Sequence, residues 1–292
     1  MAPRLLKYMY NLLLLSALPS FCMAFLTPAA AVGRLHTCRP SLRKGLALAL
    51  AEMSTSSANT DDAPARLRIL ALHGKGGNGP SFERSLEPLV ATLNDRLPAH
   101  EICFDFPTAP YSLSADESAG WAWWELPAGE RSFTASDYIG YDKSASLIEE
   151  KLCSGDGYDV VIGHSQGAIL LAALFATNRM ALLPRHPKAY IFNGCAVPNP
   201  FKDSLINVQL PPEVTEKSET LFVAGRDDRI NPPDGALYVR ECLEKGGIKA
   251  ATIFHPGGHS VPVRDEEALN SMVEWIIDAV VGNQSEASSS RL

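Results

Sequence analysis

The chain has 292 residues, 46% of them hydrophobic, enough to bury the core of one sizeable domain. Its 21 glycines and 21 prolines are ordinary in amount, which excludes a fibrous or low-complexity protein. The net charge of −7 is uneven: residues 1–51 hold no acid but carry Arg4, Lys7, Arg34, Arg39, Arg43 and Lys44, leaving 20 basic against 33 acidic residues downstream. A domain that acidic repels phosphate backbones and anionic bilayers, so nucleic-acid binding is excluded.

The N-terminal region predicts an address in two parts. Basic residues and the apolar run 12–18 read as a secretory signal peptide over residues 1–24, cut after Cys22-Met23-Ala24. That run is too short to span a bilayer, so no stable membrane span is expected in the mature form. Residues 25–65 begin at Phe25 with a stretch rich in Ala, Leu, Arg and Ser, the composition of a transit peptide. Together the two parts resemble the bipartite presequences of proteins imported into complex plastids, which implies plastid delivery. The alternative is a plain signal peptide with a pro-segment, giving a secreted or endomembrane protein.

The folded domain is expected over residues 66–281. Residues 67–72 are a strand-length apolar run ending at His73-Gly74, and 82–97 has helical spacing, with Leu86, Leu89, Val90 and Leu93 on one side. A second strand is predicted at 102–106, stopped by Pro107. The segment 111–141 has few strand signals and many aromatics (Trp121, Trp123, Trp124, Phe133, Tyr138), and is expected to form a cap over an apolar pocket. The alternative is that these rings pack against the sheet. A helix over 145–152 leads into a strand at 158–162, and 168–176 is small, apolar and helical. Short strands follow at 189–192, 221–224 and 251–254, with helices at 235–245 and 266–280. Residues 282–292 are expected to be a disordered tail ending in Ser290-Arg291-Leu292, which resembles a peroxisomal signal. A second start at Met53 would reconcile that signal with the leader.

Strands of about five apolar residues alternating with helices predict one α/β domain with a mostly parallel sheet covered on both faces. The six cysteines (Cys22, Cys38, Cys103, Cys153, Cys195, Cys242) form no C-x-x-C pair and match neither a disulfide framework nor a zinc site. Cys103 and Cys195, in apolar runs, are expected to be buried and inert.

Gly163-His164-Ser165-Gln166-Gly167 matches the G-x-S-x-G nucleophile elbow, and it sits between a buried strand and a small-residue helix. A turn that tight needs glycines on either side, and it presents the serine at a helix N-terminus, where negative charge is favoured. A serine hydroxyl needs a base, and the base needs a carboxylate, arriving in chain order Ser, Asp or Glu, His. Asp228 follows the 221–224 strand through Gly225 and is the expected acid, with Asp227 the neighbour that could replace it. His259, after the paired Gly257-Gly258, is the expected base. His255 stands before those glycines, and His73, His100, His164 and His186 precede the acid.

Two backbone N–H groups, of Lys75 and Gln166, are the expected oxyanion donors. The Gly-rich loop His73-Gly74-Lys75-Gly76-Gly77-Asn78-Gly79 lacks the G-K-S/T ending of a phosphate-binding loop. Substrate-pocket candidates are His73, His164, Trp121, Trp123 and Trp124. These residues predict acyl transfer.

The set Leu72-His73-Gly74, Gly163-His164-Ser165-Gln166-Gly167, Gly225-x-x-Asp228 and Gly258-His259-x-x-Pro262 resembles the family of serine hydrolases within the α/β-hydrolase superfamily. The Trp121-Ala122-Trp123-Trp124 cluster and Asp105-Phe106-Pro107-x-Ala109-Pro110 add to the likeness. One departure is His164, where the family more often has Phe. The resemblance implies an α/β-hydrolase fold and cleavage of small-molecule acyl esters or thioesters with neither metal nor cofactor. An acyltransferase using the same three residues, or a ligand-binding protein that retains the fold, are the competing readings. Acceptor competition separates the first from hydrolysis; an intact Ser, Asp and His set speaks against the second.

Overall fold

The structure, a computed structural model, describes residues 64–282. The expectations for residues 1–24, for 25–63, for Met53 and for the C-terminal tripeptide lie outside the described residues.

Six parallel strands form the central sheet: β1 (Ala65–Leu72), β2 (His100–Asp105), β5 (Val160–His164), β6 (Ala189–Asn193), β7 (Glu219–Gly225) and β8 (Lys249–His255), in the order β2-β1-β5-β6-β7-β8. A separate antiparallel pair, β3 (Tyr111–Ser112) and β4 (Trp121–Ala122), lies outside it. Side chains alternate along each strand and divide the core into two layers. Leu67, Ile69 and Ala71 face α1 (Gly79–Ser85), α2 (Glu87–Arg96) and α8 (Glu266–Ile277). Leu70 and Leu72 face α3 (Tyr141–Cys153), α4 (Gln166–Ala176), α7 (Pro233–Lys245) and the short α5 (Lys202–Ile206) and α6 (Pro212–Thr215).

The predicted helix at 82–97 is two helices. Pro88 has no N–H to offer the Arg84 carbonyl, so the chain turns at Leu86 and α2 restarts with proline in its first turn. The strand predicted at 158–162 is shifted to Val160–His164 and reaches the residue before Ser165. The last helix ends at Ile277 and continues as a wider turn over Asp278–Gly282. Cys195 is buried and burial pushes its thiol upward, whereas Cys103, on edge strand β2, is only half-buried. No helix among the described residues is long and apolar enough to cross a membrane.

Register brings Leu72 beside Gly163, His164 beside Asn193, and Gly225 beside His255, so the carboxyl ends of five strands meet at one edge. From β1 the chain leaves to one side for β2, while β5 lies on the other. The crevice at such a switch point is where open α/β sheets place ligands.

Candidate active site

Ser165 occupies the turn between β5 and α4 with φ 52° and ψ −116°, a region that L residues rarely adopt. Strain of that kind costs about 1–3 kcal/mol and persists only where the surroundings enforce it. Here they do. A Cβ on Gly163 would stand 2.7 Å from Ala168 Cα, and one on Gly167 would stand 2.4 Å from the Leu72 carbonyl oxygen. Only glycine lets α4 start this close to both strands. The helix itself is buried along all eleven residues, which fixes the turn.

Ser165 Oγ lies 2.7 Å from His259 Nε2, and His259 Nδ1 lies 2.6 Å from Asp228 Oδ2. The other carboxylate oxygen, Oδ1, accepts the Ile230 and Asn231 amides at 2.9 Å each. Asp228 is 5% exposed, whereas Asp227 is exposed and donates its own amide to Gly257. The pairing of β7 with β8 continues past the strands: Arg226 N–H donates to the His255 carbonyl, and Gly225 leaves room for the Gly257 and Gly258 carbonyls. The loops that carry Asp228 and His259 therefore cross where the sheet puts them. Gly194, at φ 55°, lies beneath the imidazole: a Cβ there would be 3.1 Å from His259 Cε1. Asn231, a residue that sequence reasoning did not single out, ties the Gly194 carbonyl to the Asp228 loop at 2.8 Å.

Gly74 lies against Ser165, since a Cβ on it would be 3.0 Å from Ser165 Cβ. In the loop that follows, the Gly76 and Gly77 amides donate to the Trp121 and Gly74 carbonyls. The Lys75 amide has no protein acceptor among the described residues. The Gln166 amide is the first of α4 and has no carbonyl one turn back.

The five pocket candidates separate. Trp123 and Trp124 are fully buried, and His73 is 1% exposed, so none of the three can touch a substrate. They hold the loop amides instead. The Trp123 amide donates to Gln166 Oε1 at 2.9 Å, and Gln166 Nε2 donates to the Trp124 carbonyl at 3.2 Å. Trp123 Nε1 donates to the His73 carbonyl at 2.8 Å. His73 donates from Nδ1 to the Gly74 carbonyl and accepts the Ala109 amide at Nε2. Trp121 is half-buried and pairs through its backbone with Gly77. The 111–141 segment is thus a brace packed on the core, because apolar rings with no room for a ligand bury themselves against α4 and β1. The side chain of Gln166 was missed for the same reason: its partners are more than forty residues away in the chain.

His164, alone of the five, lines the cleft that opens beside His259. The cleft, of about 850 Å³, begins at His164 and His259 and runs between Phe82, Arg84 and Pro88 on one wall and residues 255–265 on the other. Burial is the main reason that the His164 imidazole is pushed down to about 3, with the neighbouring His259 adding to it. Phe82 stacks on that ring at a centroid distance of 6.0 Å.

A family model described as serine hydrolase (FSH1) matches residues 63–270. The chain belongs to that family. Among similar proteins, "Esterase OVCA2" of Danio rerio is 27% identical over 220 residues, covering 67% of this chain and 90% of that protein. "Probable carboxylesterase SOBER1-like" of Arabidopsis thaliana is 26% identical over 251 residues, covering 81% and 87%. Among solved structures, Arabidopsis thaliana SOBER1 superposes with a TM-score of 0.55 at 24% identity, over 74% of this chain and 99% of that one. Zea mays acyl-protein thioesterase 2 gives 0.51 at 21%, over 75% and 95%. These likenesses place this member of the serine hydrolase family in the α/β-hydrolase fold.

Proposed function

We propose that this serine hydrolase cleaves a small-molecule carboxylic ester or thioester through an acyl-serine intermediate, with Ser165 as nucleophile, His259 as base and Asp228 as the orienting carboxylate. The observation that carries the reading is the continuous relay from Ser165 Oγ through His259 to a buried Asp228, at 2.7 and 2.6 Å. Asp228 selects the tautomer with the proton on Nδ1, which leaves Nε2 free to take the serine proton as Oγ attacks the acyl carbon. The imidazolium that forms is stabilised by the adjacent carboxylate. Negative charge then develops on the carbonyl oxygen, and the Lys75 and Gln166 amides are the donors available to it. His259 returns the proton to the leaving oxygen or sulfur, and water repeats the sequence to release the acid. The strained turn serves this chemistry by keeping Oγ at the helix N-terminus with its hydrogen-bond direction fixed.

The test is turnover of p-nitrophenyl and acyl-thioester series of increasing chain length, beside Ser165→Ala. We expect the substitution to lower kcat by about 10⁴-fold or more and to abolish labelling by a fluorophosphonate. Labelling that survives in Ser165→Ala, or a wild-type protein that neither reacts nor turns over, rejects the proposal.

A further inference from the structure

His164 is the one polar ring at the mouth of Ser165 that the relay leaves unused. Its Nδ1 lies 2.8 Å from Asn193 Nδ2. An amide nitrogen can only donate, so with Asn193 Nδ2 turned to the ring and its Oδ1 left buried without a partner among the described residues, Nδ1 is the acceptor and the single proton of the neutral ring is on Nε2. Asn193 is 1% exposed and lies directly across from His164 in the β5–β6 register, so the sheet holds the pair in place.

Nε2 has no protein partner among the described residues. Its surroundings can be located from Gly74. The point that a Cβ on Gly74 would occupy is 3.0 Å from Ser165 Cβ and 3.6 Å from His164 Nε2, so this nitrogen borders the space beside the nucleophile. The His164 and His259 rings are 5.2 Å apart. A leaving atom that takes its proton from His259 therefore has its own substituent beside His164, at the inner end of the cleft.

We propose that His164 donates a hydrogen bond from Nε2–H to an oxygen of the leaving group, making the site selective for esters whose alcohol carries an ether, hydroxyl or carbonyl oxygen near the scissile link. The inference rests on the acyl-serine reading above, with His259 as the proton donor to the leaving atom. His164 is then a specificity residue, and Asn193 is a positioning residue that acts through it. An alcohol with an oxygen one or two carbons from the ester satisfies the donor; a plain alkyl alcohol leaves it unpaired in a half-buried place.

The experiment compares the butyl and 2-methoxyethyl esters of one acid, which have equal numbers of heavy atoms and differ by CH₂ against O. The readout is the ratio of their kcat/KM values, in which general damage to the site cancels. His164→Phe and His164→Leu should each lower the methoxyethyl-to-butyl ratio about 3- to 10-fold, as expected for one neutral hydrogen bond. His164→Gln keeps an N–H donor and should move the ratio back towards the wild-type value. The Leu variant stands beside Phe so that the outcome does not depend on one protein folding. Equal losses on both esters, with the ratio unchanged, overturn the proposal and make His164 structural. A preference for the 2-hydroxyethyl ester without one for 2-methoxyethyl also overturns it, since Nε2 would then be an acceptor. Wild-type protein that turns over neither ester and resists the fluorophosphonate would remove the acyl-serine reading as well, whereas turnover with an unmoved ratio removes this one alone.

Discussion

Asp227 and Asp228 have the same chemistry and adjacent positions, and their surroundings make them different. Asp228 has both oxygens engaged, one by His259 and one by two backbone amides, in a nearly water-free place. Such a carboxylate cannot rotate away from the imidazole, whereas exposed Asp227 is free to turn into solvent. Asp228→Asn keeps the shape but offers an amide, which favours the wrong imidazole tautomer. We expect kcat to fall about 10³- to 10⁴-fold, with Asp227→Asn within about threefold of wild type, both read from steady-state turnover. A comparable loss in Asp227→Asn would place the working acid one residue earlier. The sequence pointed to Asp228 through its spacing from Gly225, and the reason that spacing works is visible in the structure: a Cβ at 225 would be 2.4 Å from the Gly258 carbonyl. Nothing in the sequence pointed to Asn231, because a polar residue before two prolines looks like any surface turn until its amide is seen on Gly194.

At the level of elements, the strand–turn–helix around Ser165 was legible because tight packing leaves its mark as glycine. Gly167→Ala tests that packing. The added methyl meets the Leu72 and His73 carbonyls, which are backbone atoms at the end of β1 and cannot step aside singly. Overpacking of this sort costs about 1–3 kcal/mol. For a domain of this size each kcal/mol corresponds to about 2–4 °C, so Tm should fall by about 2–12 °C in a calorimetric or circular-dichroism melt. An unchanged melt would mean that α4 can slide without cost. The brace was illegible by contrast. Tryptophan reads the same in a sequence whether it walls a pocket or fills a core, and only the contacts of Trp123 and Trp124 with Gln166 and His73 decide between them. The break at Leu86 had a visible signal in Pro88, overridden by the apolar spacing on either side.

Among the described residues, four imidazoles are packed where charge is costly. Burial is the main cause that lowers His73, His164, His186 and His255 from the ordinary histidine value. In the unfolded chain these rings take up protons as pH falls through about 6.5, while the folded protein still excludes them. Stability is therefore complete above that pH and declines below it, by about 1 kcal/mol per pH unit for each ring that remains neutral in the fold. Urea melts of the 64–282 domain between pH 7.5 and 5 should show midpoints falling with acid, and a flat profile would mean the rings charge without unfolding. The parallel sheet and its two-sided burial were implied by alternating short apolar runs and helices, whereas the order of the strands across it was not. The cleft was not, because its walls come from residues 82–88 and 255–265, which the chain brings together only after the sheet has formed. The braced amides and the cleft walls draw on separate stretches of chain, with residues 121–124 and Gln166 in the first and none of them in the second. Arg84, Glu87, Val263 and Arg264 line the cleft without belonging to the relay or the brace, so inherited change at those positions can remodel what enters the cleft while Ser165, His259 and the braced amides keep their places.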